Sequence, residues 1–112
     1  MVEIKTTNGA FIIDSLGKIL VTHPTNHPMV VWSIPKGLDD EGETSLEATT
    51  REVWEETDLN LDLFANRTTY FDLGIQPYSH KKKNIHAHLF QIDLPLSEMD
   101  LNLWCKSMFT CN

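Results

Sequence analysis

The chain has 112 residues, 41% of them hydrophobic, and a formal net charge of -7. This suits one small domain, residues 1–112, with too much apolar content for a disordered chain; the acidic balance disfavours DNA and anionic membranes as partners, and no apolar run approaches the roughly 18 residues that span a bilayer. The start, "MVEIKTTNGAF", has neither the basic residues nor the apolar stretch of a signal peptide, and Cys105 and Cys111 sit together near the end, so a reducing cytoplasm is expected.

In chain order, "VEIKT" at 2–6 alternates as a strand does. "GAFIID" at 9–14, the turn "DSLGK" and "KILVTH" at 18–23 read as a hairpin. "PTNHP" is a loop, and "MVVWSIP" at 29–35 a short strand stopped by Pro35. An acidic loop, "KGLDDEGE", leads to "TSLEATTREVWEET" at 44–57, where Thr44 and Glu47 form a capping box that starts a helix. Leu46, Val53 and Trp54, with the small Ala48 and Thr50 between, are its expected buried side. Strands follow at 68–75 and 84–93, joined by a loop carrying "PYSHKKK". Over 97–109, Leu101, Trp104, Cys105 and Met108 recur at i, i+3, i+4, i+7, which predicts a short C-terminal helix. Strands, helix, strands, helix is the order of an α+β fold with a mixed sheet covered by helices.

The helix at 44–57 has one unusual face. Glu52, Glu55 and Glu56 are neighbours at i,i+3 and i,i+4, so three carboxylates share it. Arg51 reaches Glu55 at i,i+4 and offsets part of the repulsion. The ordinary reading of such a run is a solvated acidic face. The other reading is a site for a hard cation, because Mg2+ prefers carboxylate oxygens and bridges to phosphates.

The flanking residues favour the second reading. Gly37, Glu43, Arg51, Glu52, Val53, Glu55, Glu56 and Leu59 resemble the Nudix box, G-x5-E-x7-R-E-U-x-E-E-x-G-U with U a bulky aliphatic, departing only where Asp58 takes the place of a glycine. "WSIPKG" before the box is similar to the entry strand of the same family. The resemblance implies a Nudix α/β/α sandwich that hydrolyses a diphosphate-linked substrate with Mg2+, or Mn2+ in its place. It implies Glu55 and Glu56 as metal ligands, Glu52 as a further ligand or the general base, and the Gly37 carbonyl completing the coordination. Arg51 would orient the glutamates and Glu43 would brace the loop. Some members take their base from a later loop, and Glu98 is the candidate; a helix-terminal charge is its equally weighted reading. Asp58 would adopt the left-handed conformation at a cost of about 1 kcal/mol relative to glycine.

Phosphate contacts are expected from Lys36, against the alternative of a surface lysine, and from Lys81 and Lys83 with Lys82 beside them, against the equally weighted alternative of a charged loop that keeps a strand end soluble. Tyr78 is a candidate for stacking on a base, against the alternative of a loop residue resting on the core. His86 and His88 share one strand face and are read as sheet residues lining the cleft, with no further ligands for zinc evident. Trp32 and Trp104 are read as core. The resemblance leans to the branch that cleaves dinucleoside polyphosphates such as diadenosine tetraphosphate, with an RNA 5' end less favoured. The alternatives are a catalytically weak or silent nucleotide-binding module of the same fold, and a small acidic interaction protein without a ligand.

Overall fold

Alternation in "KTTNGAFII" builds β1, Lys5–Ile13, an inner strand of the main sheet. The computed structural model describes residues 5–22, 33–78, 83–98, 104–105 and 108–111. Trp32, Lys81 and Lys82 lie outside them. β1 turns at Asp14, whose N–H donates to the Lys18 carbonyl at 3.0 Å, and Ile19 bridges back to Ile13, so the expected hairpin forms. β2 is the short piece Val21–Thr22, and β3 is Lys36–Gly37. β4 spans Thr68–Tyr78 and β5 spans Lys83–Ile92. The main sheet has the order β3-β1-β5-β4. β1 and β5 run parallel while the outer pairings are antiparallel, so the sheet is mixed as expected. Parallel neighbours cannot be joined by a tight turn, and the long connection between β1 and β5 carries α1.

α1, Ser45–Thr57, begins on the predicted capping box: Glu47 N–H donates to Thr44 Oγ1 at 3.1 Å and Thr44 N–H to Glu47 Oε1 at 2.8 Å. It ends at Asp58, which sits at φ 63°, ψ 11° and donates its N–H to the Trp54 carbonyl. The left-handed position required at the helix end is therefore filled by an aspartate, one of the few side chains that tolerate it. α1 buries Ala48, Thr49, Val53 and Thr57, whereas Leu46 and Trp54, expected on the buried side, are 39% and 56% exposed. Small residues let the helix lie close to the sheet, and that approach turned the larger apolar side chains outward. Val53 joins Ala10, Ile12, Leu20, Leu59, Leu61, Phe90, Ile92 and Leu96 in one core.

The C-terminal helix expected over 97–109 is not what the described residues form. There is a single 3-10 turn at Leu96–Glu98, then β6, Trp104–Cys105, and β7, Met108–Cys111. β7 pairs antiparallel with both β2 and β6 in a second sheet. Trp, Phe, Thr and Cys fit a pleated surface as well as a helix, and β2 offers an edge with ladder groups to satisfy, so non-local pairing overrides the local period.

Candidate active site

The site is assembled around one guanidinium. Arg51 clamps Glu43 at two points, from Nε to Oε2 at 2.8 Å and from Nη2 to Oε1 at 3.0 Å. Its Nη1 donates to Glu52 Oε1 at 2.9 Å and to Glu55 Oε1 at 3.0 Å, and Nη2 also reaches the Leu38 carbonyl at 3.1 Å. One side chain thus ties the loop after β3 to the middle of α1. Glu43 responds as a paired carboxylate should: Arg51, and after it the Asp40 N–H, hold its carboxyl below the usual range.

Gly37 is a glycine because of what lies against it. A Cβ built there would fall 2.2 Å from Glu52 Cδ and 2.4 Å from Glu52 Oε1. The close approach of backbone and carboxylate, not an unusual φ, requires the missing side chain. It seats Glu52 beside the Gly37 peptide.

Two carboxylates here are electrostatically uncomfortable. Burial raises the proton affinity of Glu52 against the opposing pull of Arg51. Glu56 is shifted further: burial, and next the charge of Glu52, push it up to about 8. Its Oε2 accepts the Lys36 backbone N–H at 3.3 Å, which offsets only part of that. Clustered, partly desolvated carboxylates of this kind suit a hard divalent cation, whose charge reverses the local balance. The Gly37 carbonyl accepts from Asn8 Nδ2 at 3.2 Å. The glutamates do not converge on a point, however. Among the described residues, the one group of three acidic or histidine side chains with ligand atoms within 4.8 Å of one another is Asp72, His86 and His88.

A polar network connects that second group to the first. Asn8, 2% exposed on β1, donates to the Gly37 carbonyl and to Asp39 Oδ1. It accepts from Ser45 Oγ at the start of α1. Ser45 Oγ lies 2.8 Å from His88 Nε2, and the Tyr70 hydroxyl lies 2.5 Å from His88 Nδ1. Ser45 spends its single proton on Asn8, so it accepts from His88; the network therefore assigns the proton to Nε2 and the lone pair to Nδ1. Burial, and next the neighbouring His86, lower the proton affinity of His88, which keeps this imidazole neutral.

The remaining expected residues are scattered. Lys36 is half-buried in β3 directly before Gly37, and its charge acts on Glu56. Lys83 opens β5 opposite Lys5 of β1, and both are exposed. Tyr78 closes β4 opposite Lys83; its side chain, like Lys81, lies outside the described residues. Glu98 is not brought to the glutamates. Its turn is anchored by the Leu96 N–H to Asp14 Oδ2, at the end of β1 about 20 Å of extended strand away from Asn8. Asn8, Ser45, Tyr70 and Asp72 were not expected from the sequence. A serine immediately after a capping threonine, or an asparagine within a strand, carries no local signal, because their partners arrive from other elements.

Known proteins share this architecture. A sequence profile of the NUDIX domain matches residues 4–106. An RNA pyrophosphohydrolase of Cereibacter sphaeroides is 41% identical over 49 residues, which is 44% of this chain and 30% of that protein, so the match spans about a third of the relative's length. The crystal structure of a C. elegans Ap4A hydrolase superposes with a TM-score of 0.65 at 23% identity, covering 95% of this chain and 79% of that one. The NUDIX domain of Shewanella oneidensis NrtR, complexed with ADP ribose, superposes with a TM-score of 0.74 at 16% identity, covering 99% and 73%. At these identities the structural likenesses speak for the fold, the NUDIX α/β/α sandwich. No helix among the described residues is long and apolar enough to cross a membrane.

Proposed function

The chain belongs to the NUDIX domain family, and on that premise we propose that it is a Mg2+- or Mn2+-dependent pyrophosphohydrolase that splits a phosphoanhydride bond of a nucleoside polyphosphate with water. The observation that carries this reading is the geometry of the carboxylates: Arg51 ties Glu43, Glu52 and Glu55 together, Glu52 rests on the Gly37 peptide, and the partly buried Glu56 accepts the Lys36 N–H, with burial and the charge of Glu52 pushing it up to about 8. Such a cluster is costly without a cation and useful with one.

Glu55, Glu56 and the Gly37 carbonyl would hold the metal ion, which when bound neutralises phosphate charge and polarises a water. Glu52 is the base of this proposal. Arg51 fixes its Oε1, Gly37 fixes its position, and burial raises its proton affinity. Its other oxygen takes the proton as the water oxygen bonds to phosphorus and the bridging P–O bond breaks, releasing a phosphate anion. Glu43 and Arg51 touch no substrate; they hold the loop and helix at a fixed separation. Lys36 stands at the edge of the cluster, where its ammonium meets a phosphate oxygen.

A dinucleoside polyphosphate is the favoured substrate. The exposed pair Lys5 and Lys83 lies three residues along the sheet from Asn8, about 10 Å, which suits a chain of several phosphates. The fold likeness to an Ap4A hydrolase agrees with it. The RNA pyrophosphohydrolase match supports a second reading, a 5'-triphosphate RNA end. With Mg2+ present, release of mononucleotide from diadenosine tetraphosphate is expected to exceed release of pyrophosphate from triphosphorylated RNA, and the reverse ratio would favour the second reading. Glu56→Gln should lower the rate at least roughly a hundredfold. An unchanged rate would remove the metal role of Glu56. Nucleotide binding without turnover in the unmodified protein would make the chain a silent binding module.

A further inference from the structure

Histidines at i and i+2 of a strand point to one side of the sheet. His86 and His88 do so on β5, with ring centroids 4.3 Å apart and planes 24° from parallel. The neighbouring strand supplies a carboxylate to the same side. Asp72 of β4 pairs with His88, and the register shifts between Asp72 and Gly74. Gly74 adopts φ 82° there and donates its N–H to Asp72 Oδ1 at 2.8 Å. The bulge aims that carboxylate along the sheet, so Oδ1 also lies 2.8 Å from His86 Nε2. One ligand atom from each of the three residues lies within 4.8 Å of the others.

We propose that Asp72, His86 and His88 form a second metal site, specific for a borderline d-block cation such as Zn2+ and separate from the helix glutamates. The donor set decides the class of metal. Two imidazoles and one carboxylate suit Zn2+ and its neighbours, whereas an all-oxygen cluster suits Mg2+. The ligand atoms need to close by only a small side-chain movement to meet one ion.

The surroundings fit a ligand role. A ligating imidazole commonly donates its second N–H to an acceptor, which fixes its tautomer and orientation. His88 already has that arrangement, with Nε2–H directed to Ser45 and the Nδ1 lone pair directed toward β4, the strand that carries Asp72. The Tyr70 hydroxyl now bonds to that lone pair and would release it to the ion. His88 is buried and anchors the site, while Asp72 is exposed and opens a path for the ion. Three protein ligands leave a fourth position for water or an anion. Through Ser45 and Asn8 the site is linked to the Gly37 carbonyl, so its occupancy reaches the loop without sharing a ligand with it.

The test uses the full chain stripped of metals and then held in excess Mg2+ to occupy the glutamates, titrated with Zn2+ by calorimetry and with Co2+ by visible absorption. One saturable Zn2+ site is expected, together with intense Co2+ bands of a four-coordinate centre. His86→Ala and Asp72→Asn should each weaken Zn2+ at least roughly tenfold and remove the Co2+ bands, while Glu56→Gln changes neither. Circular dichroism of each variant checks folding; should His86→Ala fail that check, the exposed Asp72→Asn carries the test. The proposal is overturned by the absence of saturable Zn2+ binding. It is equally overturned if binding survives in the folded variants, or is lost in Glu56→Gln, which would put the ion at the glutamates.

Discussion

The acidic face of α1 and the histidine face of β4 and β5 gather charged side chains in opposite ways. On α1 the three glutamates are brought together by helix pitch alone, and Arg51 then bridges two of the three from one nitrogen. On the sheet, Asp72, His86 and His88 come from two strands, and a bulge has to rotate one of them into place. The first cluster is written in local spacing and is electrostatically frustrated. The second depends on register and is linked through Ser45 and Asn8 to the Gly37 carbonyl beside the first. Clusters set by pitch tolerate changes in packing; clusters set by register do not.

The largest effect should come from disturbing the helix cluster at its one non-local contact. Gly37→Ala forces the far end of a flexible side chain, Glu52, away from the peptide it rests on. Activity on diadenosine tetraphosphate is expected to fall on the order of a hundredfold through kcat, because a displacement of about 1 Å at a reacting group is enough. The melting temperature should move by only a few degrees, since the displaced atoms can turn toward solvent. A large loss of stability with activity retained would mean that Glu52 is packing and not chemistry.

A smaller effect separates the two faces by the sign of their pH response. Glu56 is raised from 4.5 to about 8 in the folded chain, so its contribution is full below the lower value and lost as pH rises through the higher. His88 is lowered from 6.5, so its contribution is full above that value and lost as pH falls below it. In metal-free buffer the two responses oppose each other below pH 6.5 and only the loss from Glu56 remains above it, so the melting temperature should fall by roughly 5 °C on the alkaline side by about pH 8.5, and an acid-side fall from His88 should stand out once Glu56 is replaced. Glu56→Gln should flatten the alkaline side alone. If it flattens the acid side instead, the assignment of the two limbs is wrong.

The smallest effect lies at the end of α1. Asp58 holds the left-handed position at φ 63°. Asp58→Gly should raise stability by about 0.5–1 kcal/mol in a urea titration and leave kcat within a factor of about two. A marked gain in activity would show that the departure from the family glycine limits catalysis and not merely the helix end.

Much of the glutamate cluster was legible because every relation in it is short-range or fixed by spacing. Thr44 and Glu47 announced the helix start, pitch placed Glu52, Glu55 and Glu56 on one face, and the distances to Gly37 and Glu43 identified the loop. Asp58 was legible as a left-handed cap for the same reason. The reading failed where two outcomes share a local signature. The segment 97–109 has helical spacing, yet its described end pairs with β2 as a strand. Leu46 and Trp54 looked like core, yet of the expected side only Val53 and the small Ala48 are buried, and Thr49 joins them against the sheet.

What the sequence determined by itself was the helix, its caps, the hairpin turn from Asp14 to Lys18, the strands that became β4 and β5, and the presence of a carboxylate cluster, because backbone geometry alone converts those spacings into neighbours. Tertiary structure alone decided that the Leu96–Glu98 turn is anchored through Leu96 to Asp14 past the end of β1 and that Asp72 meets two histidines. It also decided that Asn8 links them to Gly37, because those contacts join residues 29 to 82 positions apart or depend on a bulge in one strand pair. Strand register, once set by the core of Ile12, Val53 and Phe90, fixes all of them together.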